Sequence, residues 1–592
     1  MSPDIKSLIK KRQQATTEDI RHQLAQRVVT AIQRRKAAFY RTRYACSKAR
    51  MWKHYNSLRA PSYSLPVDAT FGEKLNHQFS DKVWEGIQKS DLSVYLAHCS
   101  SHLPHPDYQA CLHLFNHTNV AAQFAKISSC PAGPDNISGK LLFAAKNKLI
   151  PILTKIYNVC LMYSICPIEW LSSNITVIPK SSNASEPADF RPIAITSAMC
   201  KIFERIIAKF ILKHTCDLLA NNKQYGFLPG HCTMDAVIQA LDHWGAEHDN
   251  HKGKLLAIFF DFAKAFDLVD HEVLLIKLSK MLPSWLVSWI AAYLTGRRQR
   301  VVLHRIPSEW KDVRAGVIQG SVLGPILFVL FVSDINLYIP NDSHLLKYAD
   351  DILAYLLGNF DCKLPQIIID GVEKWCLINK MRLNNTKCKL LSFGLGPCRP
   401  SLLLNGIPLD YVNNYTYLGV DLNVNLDPSQ QWLRVYSRVR NLPHLFRKLR
   451  YVGWTKNMLL SAYRAYGLSH FDYSAVMLMS CSKADKTEMA RLQHQILKIV
   501  GVTQNEAATN YNILPISTHI DNVCARIFHR IVINPAHPIT SSLNVNARKP
   551  EQFTVPIART ARYHNSFLVT LLRSRRDGRP DLYTNSNNLI SY

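Results

Sequence analysis

The chain has 592 residues, 47% of them apolar and 19% charged, which excludes a protein disordered throughout and allows about two to four domains. A formal charge of +28 and a pI near 9.5 attract polyanions, of which nucleic acid is the commonest in a cell. The 15 cysteines are odd in number and include no Cys-x-x-Cys pair, which argues against a zinc finger or a disulfide framework and for a reducing, intracellular compartment.

From Lys6 to Arg59 basic residues outnumber acids, and Leu24, Val28, Val29, Ile32 and Phe39 recur at near-helical spacing. These are basic helices, either a phosphate-binding arm or a solvated face. Pro61–Pro66 reads as a linker. From about Ile127 to Phe393 helical and strand patterns alternate, so this section is mixed α and β. Its longest apolar run, Val322–Val332, carries Gly324 and Pro325 and is too short to span a bilayer, so no membrane partner is expected. The run reads as a buried helix. Beyond about Asn423 the pattern is helical and basic, with Arg434, Arg438, Arg440, Arg447, Lys448 and Arg450. After about Thr540 periodicity weakens; this tail holds Arg573, Arg575, Arg576 and Arg579 and is expected to be partly disordered.

Three aspartates dominate the chemistry. Asp261 ends the apolar run Leu255–Phe260, and Asp350 and Asp351 sit between the apolar segments Leu345–Ala349 and Ile352–Tyr355. One aspartate after an apolar run is usually a turn or a helix cap. Two adjacent carboxylates at a hairpin tip repel, and stay ionised only with cations between them. Together with a third carboxylate from a buried strand they form a candidate Mg²⁺ site, because that ion favours a few carboxylates plus substrate phosphates. Two such ions about 3.5–4 Å apart clamp the attacking and leaving oxygens of a phosphoryl transfer.

Several motifs, in order, resemble the reverse transcriptases of non-LTR (LINE-type) retrotransposons. Phe260-Asp261-Phe262-Ala263-Lys264-Ala265-Phe266-Asp267 is similar to that family's first catalytic motif, and Gly316 to Pro325 to its second, with Ile318 where proline is usual. Tyr348-Ala349-Asp350-Asp351 is similar to its metal hairpin. Trp375, Asn379, Leu383-Asn384 and Lys387-Cys388 resemble the next motif, and Tyr417-Leu418-Gly419 the one that lies near the primer. Upstream, Ile178-Pro179-Lys180, Phe190-Arg191-Pro192-Ile193 and Lys201-Ile202-Phe203-Glu204 resemble fingers motifs. Gln224-Tyr225-Gly226-Phe227 precedes a departure, with Leu228 and His231 where arginines are common.

The resemblance implies an α+β right-hand polymerase with fingers, a palm built on an antiparallel sheet, a helical thumb and a basic helical N-terminal region. The corresponding segments are 1–75 (basic helices), 76–160 (fingers extension), 161–424 (fingers and palm), 425–540 (basic thumb) and 541–592 (tail). It implies RNA-directed DNA polymerisation with two Mg²⁺ ions, or Mn²⁺, held by Asp261, Asp350 and Asp351, with an RNA template, a DNA primer and dNTPs as partners. Lys180 and Arg191 would bind the triphosphate, and Gln319 and Gly320 would lie against the nucleotide. Phe266 would stack under the deoxyribose and exclude a 2′-hydroxyl. Lys387 is a candidate general acid, and Tyr417, Leu418 and Gly419 would touch the primer. His271 is expected to satisfy a backbone group rather than bind metal. The setting implied is the nucleus. The alternatives are an RNA-binding remnant without catalysis and an intron-maturase-like reverse transcriptase. No endonuclease domain before the polymerase and no RNase H carboxylate set after it is evident in the sequence.

Overall fold

The computed structural model describes residues 3–15, 17–44, 69–100, 105, 107, 109, 113–181, 183–250, 253–396, 399–534, 537–543, 545–546 and 549–577. The expected linker at Pro61–Pro66 lies outside them, as does Arg579. The chain divides into two compact units, residues 65–418 with 534–543, and residues 1–64 with 419–533 and 544–592.

The strands that matter to the first unit are, in chain order, β1 (Ser172–Pro179), β2 (Phe190–Ile195), β3 (Leu255–Phe260), β4 (Arg298–Leu303), β5 (Ile306–Pro307), β6 (Lys311–Asp312), β7 (His344–Tyr348), β8 (Asp351–Leu357) and β9 (Lys389–Phe393). Four of them form an antiparallel sheet in the order β7-β8-β3-β9. Its central strand β3, Leu-Leu-Ala-Ile-Phe-Phe, is buried at every position, which is why its sequence is an unbroken apolar run rather than an alternating one. Burying each of its large side chains contributes roughly 1.5–3 kcal/mol. That strand ends where the chain must place a charge.

The other sheet runs β2-β1-β4-β5, with β6 also on β4. One face packs Ile175, Val177, Phe190, Ala194, Val301 and Leu303 against Phe71, Leu75 and Phe79 of the helix Ala69–Phe79. The opposite face of β1 leaves Thr176 and Ile178 exposed, so the strand alternates as a half-solvated strand should.

Helices fill the space behind the four-stranded sheet. Leu323–Phe331 is apolar all round and buried along nearly its whole length, as such a helix must be. The helix Ala198–Asn221 buries Phe203, which stacks on Phe115 and Trp289 at 4.5 Å between ring centroids.

In the second unit the N-terminal residues form two helices, Pro3–Gln14 and Glu18–Tyr44. Val28 is buried and Val29 exposed, while the side chains of Ile32 and Phe39 lie outside the described residues. The basic stretch beyond residue 423 is helical, beginning with Ser429–Val439 and Leu442–Tyr451. Trp432 is buried there and donates its Nε1–H to Glu488 at 2.9 Å.

Segment boundaries differ from the sequence reading. The division expected at 424/425 falls at 418/419, where Leu418 and Gly419 turn the chain at φ 48° and 77°. Val420–Asn423 alternates like the preceding strands, so the pattern alone keeps it with them. Residues 534–543 belong with the first unit, because His537 is fully buried there with its ring stacked on His231 at 4.8 Å. Among the described residues of the tail one stretch is regular although the periodicity there is weak. Phe567–Arg576 is a helix that buries Phe567, Leu568, Val569, Leu571 and Leu572, and its apolar residues crowd into two turns, too few to register as a period.

Candidate active site

The register of the four-stranded sheet brings the three aspartates together. Phe260 pairs with Ile352 across β3 and β8, so Asp261, one residue on, faces Asp351, about 5 Å away between Cα atoms in a regular antiparallel pair. Tyr348 pairs with Asp351, which leaves Ala349 and Asp350 as a two-residue turn. Residues from sequence positions ninety apart thus share one end of a buried sheet.

The chain after Asp261 is held by the segment singled out as the following motif. Asn384 donates its N–H to Asp261 O at 2.8 Å, and Asp261 N–H points to Cys388 Sγ at 3.4 Å. Lys387 makes an ion pair with Asp261, Nζ to Oδ2 at 3.2 Å, and is itself largely exposed. The Leu383–Cys388 segment therefore serves as a clamp on the first acid.

The acids disfavour one another's charge. Burial, then Asp350 and then Asp261 push Asp351 up to about 6. Asp350 is raised by burial first and by Asp261, while Lys387 and Arg191 oppose the rise. A divalent cation relieves this repulsion, and carboxylate oxygens are the donors a hard ion prefers, so the residues present fit Mg²⁺ or Mn²⁺. Among the described residues no group of three or more His, Cys, Asp or Glu stands close enough to hold a metal ion as the side chains lie.

Cations from the other sheet converge on the same place. Lys180 follows β1 and donates its Nζ–H to Ala188 O at 2.6 Å. Arg191 lies on β2 opposite Ile178 and is exposed. Burial lowers the pKa of Lys180, and Arg191 and Lys387 lower it further, which shows the three cations within electrostatic range of one another. A cluster of like charges of this kind awaits an anion.

The second motif packs against the first. Gln319 donates its Nε2–H to Asp267 Oδ1 at 3.0 Å, and Val317 N–H donates to Phe266 O at 2.8 Å. Gly320 sits at φ +116°, and a Cβ there would meet Ala194 O at 2.4 Å, so only glycine lets this loop run against β2. Phe266 stacks on Phe328 at 4.6 Å and keeps part of its surface open. His271 Nε2 lies 2.8 Å from Gly316 O, so it serves a backbone carbonyl of the second motif.

Tyr417 is buried, with its ring 5.8 Å from Phe259 and its hydroxyl without a hydrogen-bond partner. Its side chain is part of the buried core, whereas Leu418 is partly exposed and Gly419 exposed. Gly419 opens the second unit, where a Cβ would come within 3.2 Å of the Tyr473 ring. Leu228 is buried, which explains an apolar residue at that departure from the family pattern.

Two residues escape a reading of the sequence by role. Asp267 lies inside the first motif yet is pushed up to about 6 by burial, and anchors Gln319. Gln224 reaches the Ala349-Asp350 turn from a distant segment. Only the three-dimensional register exposes either role.

A buried antiparallel sheet with acids at one end, and with lysine and arginine within electrostatic range of them, has the arrangement of charge that metal-assisted phosphoryl transfer uses. The reverse transcriptase (RNA-dependent DNA polymerase) family matches residues 178–422, which span all of these motifs through Leu418-Gly419. Curated relatives include "Probable RNA-directed DNA polymerase from transposon X-element" of Drosophila melanogaster, 29% identical over 52% of this chain and 35% of its own length. Another, from transposon BS of Drosophila melanogaster, is 32% identical over 50% and 34%. The mobile element jockey protein of Drosophila melanogaster is 28% identical over 54% and 36%. Residues 178–422 are thus similar to reverse transcriptases, and the matched relatives are RNA-directed DNA polymerases of transposons and mobile elements. The chain spans about a third of the length of these relatives. An apo telomerase from Candida Tropicalis aligns with 62% of this chain and 66% of its own at 12% identity, with a TM-score of 0.35, too loose a likeness to carry a reading.

Proposed function

We propose that the chain is an RNA-directed DNA polymerase of a non-LTR retrotransposon, which adds dNTPs to a DNA 3′ end on an RNA template. The observation that carries this reading is the facing of Asp261 and Asp351 across two strands, with Asp350 at the turn and Lys180, Arg191 and Lys387 within electrostatic range. In this reading the four-stranded sheet is the palm, the five-stranded sheet the fingers and the helices from Ser429 onward the thumb.

Two divalent ions, Mg²⁺ or Mn²⁺, would supply Lewis acidity to the attacking and departing oxygens when bound. Asp261, Asp350 and Asp351 would hold them. Arg191 offers a fork and Lys180 a point charge to the triphosphate oxygens. Gln319 and the close-packed Gly320 would border the nucleotide, and Phe266 would lie under its sugar and crowd a 2′-hydroxyl. Lys387, which pairs with Asp261, would donate a proton to the departing pyrophosphate. Leu418 and Gly419 would meet the primer through their backbone. A chromosomal primer would set the reaction in the nucleus.

The test is Mg²⁺-dependent dNTP incorporation on poly(rA)/oligo(dT) with the purified chain. Labelled product that needs both the metal and the template is expected. Tight RNA binding without product would favour a remnant that binds RNA and does not copy it.

A further inference from the structure

The turn that carries Asp350 is strained. Ala349, its first residue, sits at φ +57°, a conformation that two-residue hairpin turns usually give to glycine. The support comes from Gln224, a fully buried residue on a different segment. Its Oε1 accepts the N–H of Ala349 at 3.0 Å and that of Gly226 at 2.8 Å. Two donors meeting on one atom identify that atom as the oxygen. The amide Nε2 is left buried without a hydrogen-bond partner, an arrangement that persists only where the oxygen is needed. A glutamate would offer the same acceptor without the orphaned amide, but it would add negative charge beside Asp350 and Asp351.

The backbone around Gln224 reinforces the grip. Lys347 N–H donates to Lys223 O at 3.0 Å, and Tyr225 N–H donates to Lys347 O at 2.8 Å. The segment thus lies along β7 as a short parallel rib. Gly226 presses against the turn, since a Cβ there would come within 2.6 Å of Ala349 N.

We propose that Gln224 is a positioning residue that locks Ala349 in its left-handed conformation and thereby fixes where Asp350 points. The inference deepens the polymerase reading and rests on it. It also assigns a task to the Gln224-Tyr225-Gly226-Phe227 motif.

The experiment uses Gln224→Met, which keeps the length of the side chain and removes the acceptor. It is compared with wild type, with Ala349→Gly and with the double variant. Incorporation kinetics, Mn²⁺ affinity by titration and the melting temperature are measured for each. The single Gln224→Met variant is expected to lose about ten- to hundredfold in kcat, because a misplaced catalytic group costs that much. Its KM for dNTP and its Tm should stay near wild type, and its Mn²⁺ affinity should fall. Glycine takes positive φ freely, so Ala349→Gly in the same chain should restore most of the lost kcat and Mn²⁺ affinity. Undiminished kcat in Gln224→Met overturns the proposal. So does a loss that tracks a fall in Tm and is not restored by Ala349→Gly. A wild-type chain that incorporates nothing sinks the polymerase reading instead, and the Mn²⁺ titration then decides the role of Gln224, with equal affinity in wild type and Gln224→Met counting against it.

Discussion

The four-stranded sheet that bears the acids is buried at every position of β3, whereas the five-stranded sheet that bears the cations leaves Thr176, Ile178 and Arg191 open to solvent. The difference follows from what each charge requires. A short carboxylate can serve an ion only from a fixed point, so its backbone has to be immobilised by packing on both faces. A long lysine or arginine reaches its target from an exposed strand and keeps its head in water until an anion arrives. Rigidity is spent where geometry decides the chemistry, and mobility is tolerated where a point charge or a fork is enough.

Substitutions on the two sheets should therefore differ in kind. The largest effect is expected from Asp350→Ala/Asp351→Ala. Metal stabilisation is worth several kcal/mol, and each 1.36 kcal/mol is tenfold in rate, so incorporation should fall by about a thousandfold or more. Residual synthesis within about tenfold of wild type would erase the distinction between the sheets.

Arg191→Ala should cost less and should act mainly on nucleotide binding. Charge-assisted hydrogen bonds contribute about 1.5–3 kcal/mol, which predicts roughly a ten- to hundredfold loss in kcat/KM for dNTP. Arg191→Lys should recover part of it, since charge is kept and the fork is lost. A drop in kcat alone would assign Arg191 to the rigid set rather than the mobile one.

Phe266→Ala tests the aromatic proposed to lie under the sugar. Its ring is fixed by Phe328, and removing it opens room for a 2′-hydroxyl. Ribonucleotide incorporation relative to deoxyribonucleotide should rise by roughly tenfold, given the modest power of apolar pockets to reject one hydroxyl. Primer extension with matched rNTP and dNTP reads the ratio, and an unchanged ratio removes Phe266 from the sugar site.

The same contrast explains what the sequence revealed. Asp261 was legible because β3 is an apolar run cut off by one charge, and Asp350-Asp351 because two acids between two apolar strands have little structural use. The buried helix Leu323–Phe331 announced itself by being apolar all round. Lys180 and Arg191 are exposed like most surface cations, so only the likeness to a family singled them out. Gln224 and Asp267 carried no periodic or motif signal for their tasks, because each acts through one hydrogen bond across the fold. Nor could the pattern show that Tyr417 turns inward, since strand alternation does not say which face is covered.

Asp267 gives the finest division between the sheets. Burial pushes its pKa to about 6, although Lys264 and Lys180 pull it down and Gln319 donates to it. The folded-state pKa thus lies above the unfolded value of 3.8, so between about pH 4 and 6 the folded chain holds this proton more tightly than the unfolded chain. Its contribution to stability is fully present below about pH 4, declines as pH rises and is gone above about pH 6. Asp267→Asn cannot titrate, keeps an oxygen for Gln319 and should flatten that decline. At pH 7 the variant should gain at most roughly 2–3 kcal/mol, less whatever attraction to Lys264 and Lys180 is lost. Melting curves of both chains from pH 4 to 7 measure it. A variant that melts lower at pH 7 with the decline intact would mean that Asp267 is ionised and held by its lysines, which moves it from the buried acids to the partners of the exposed cations.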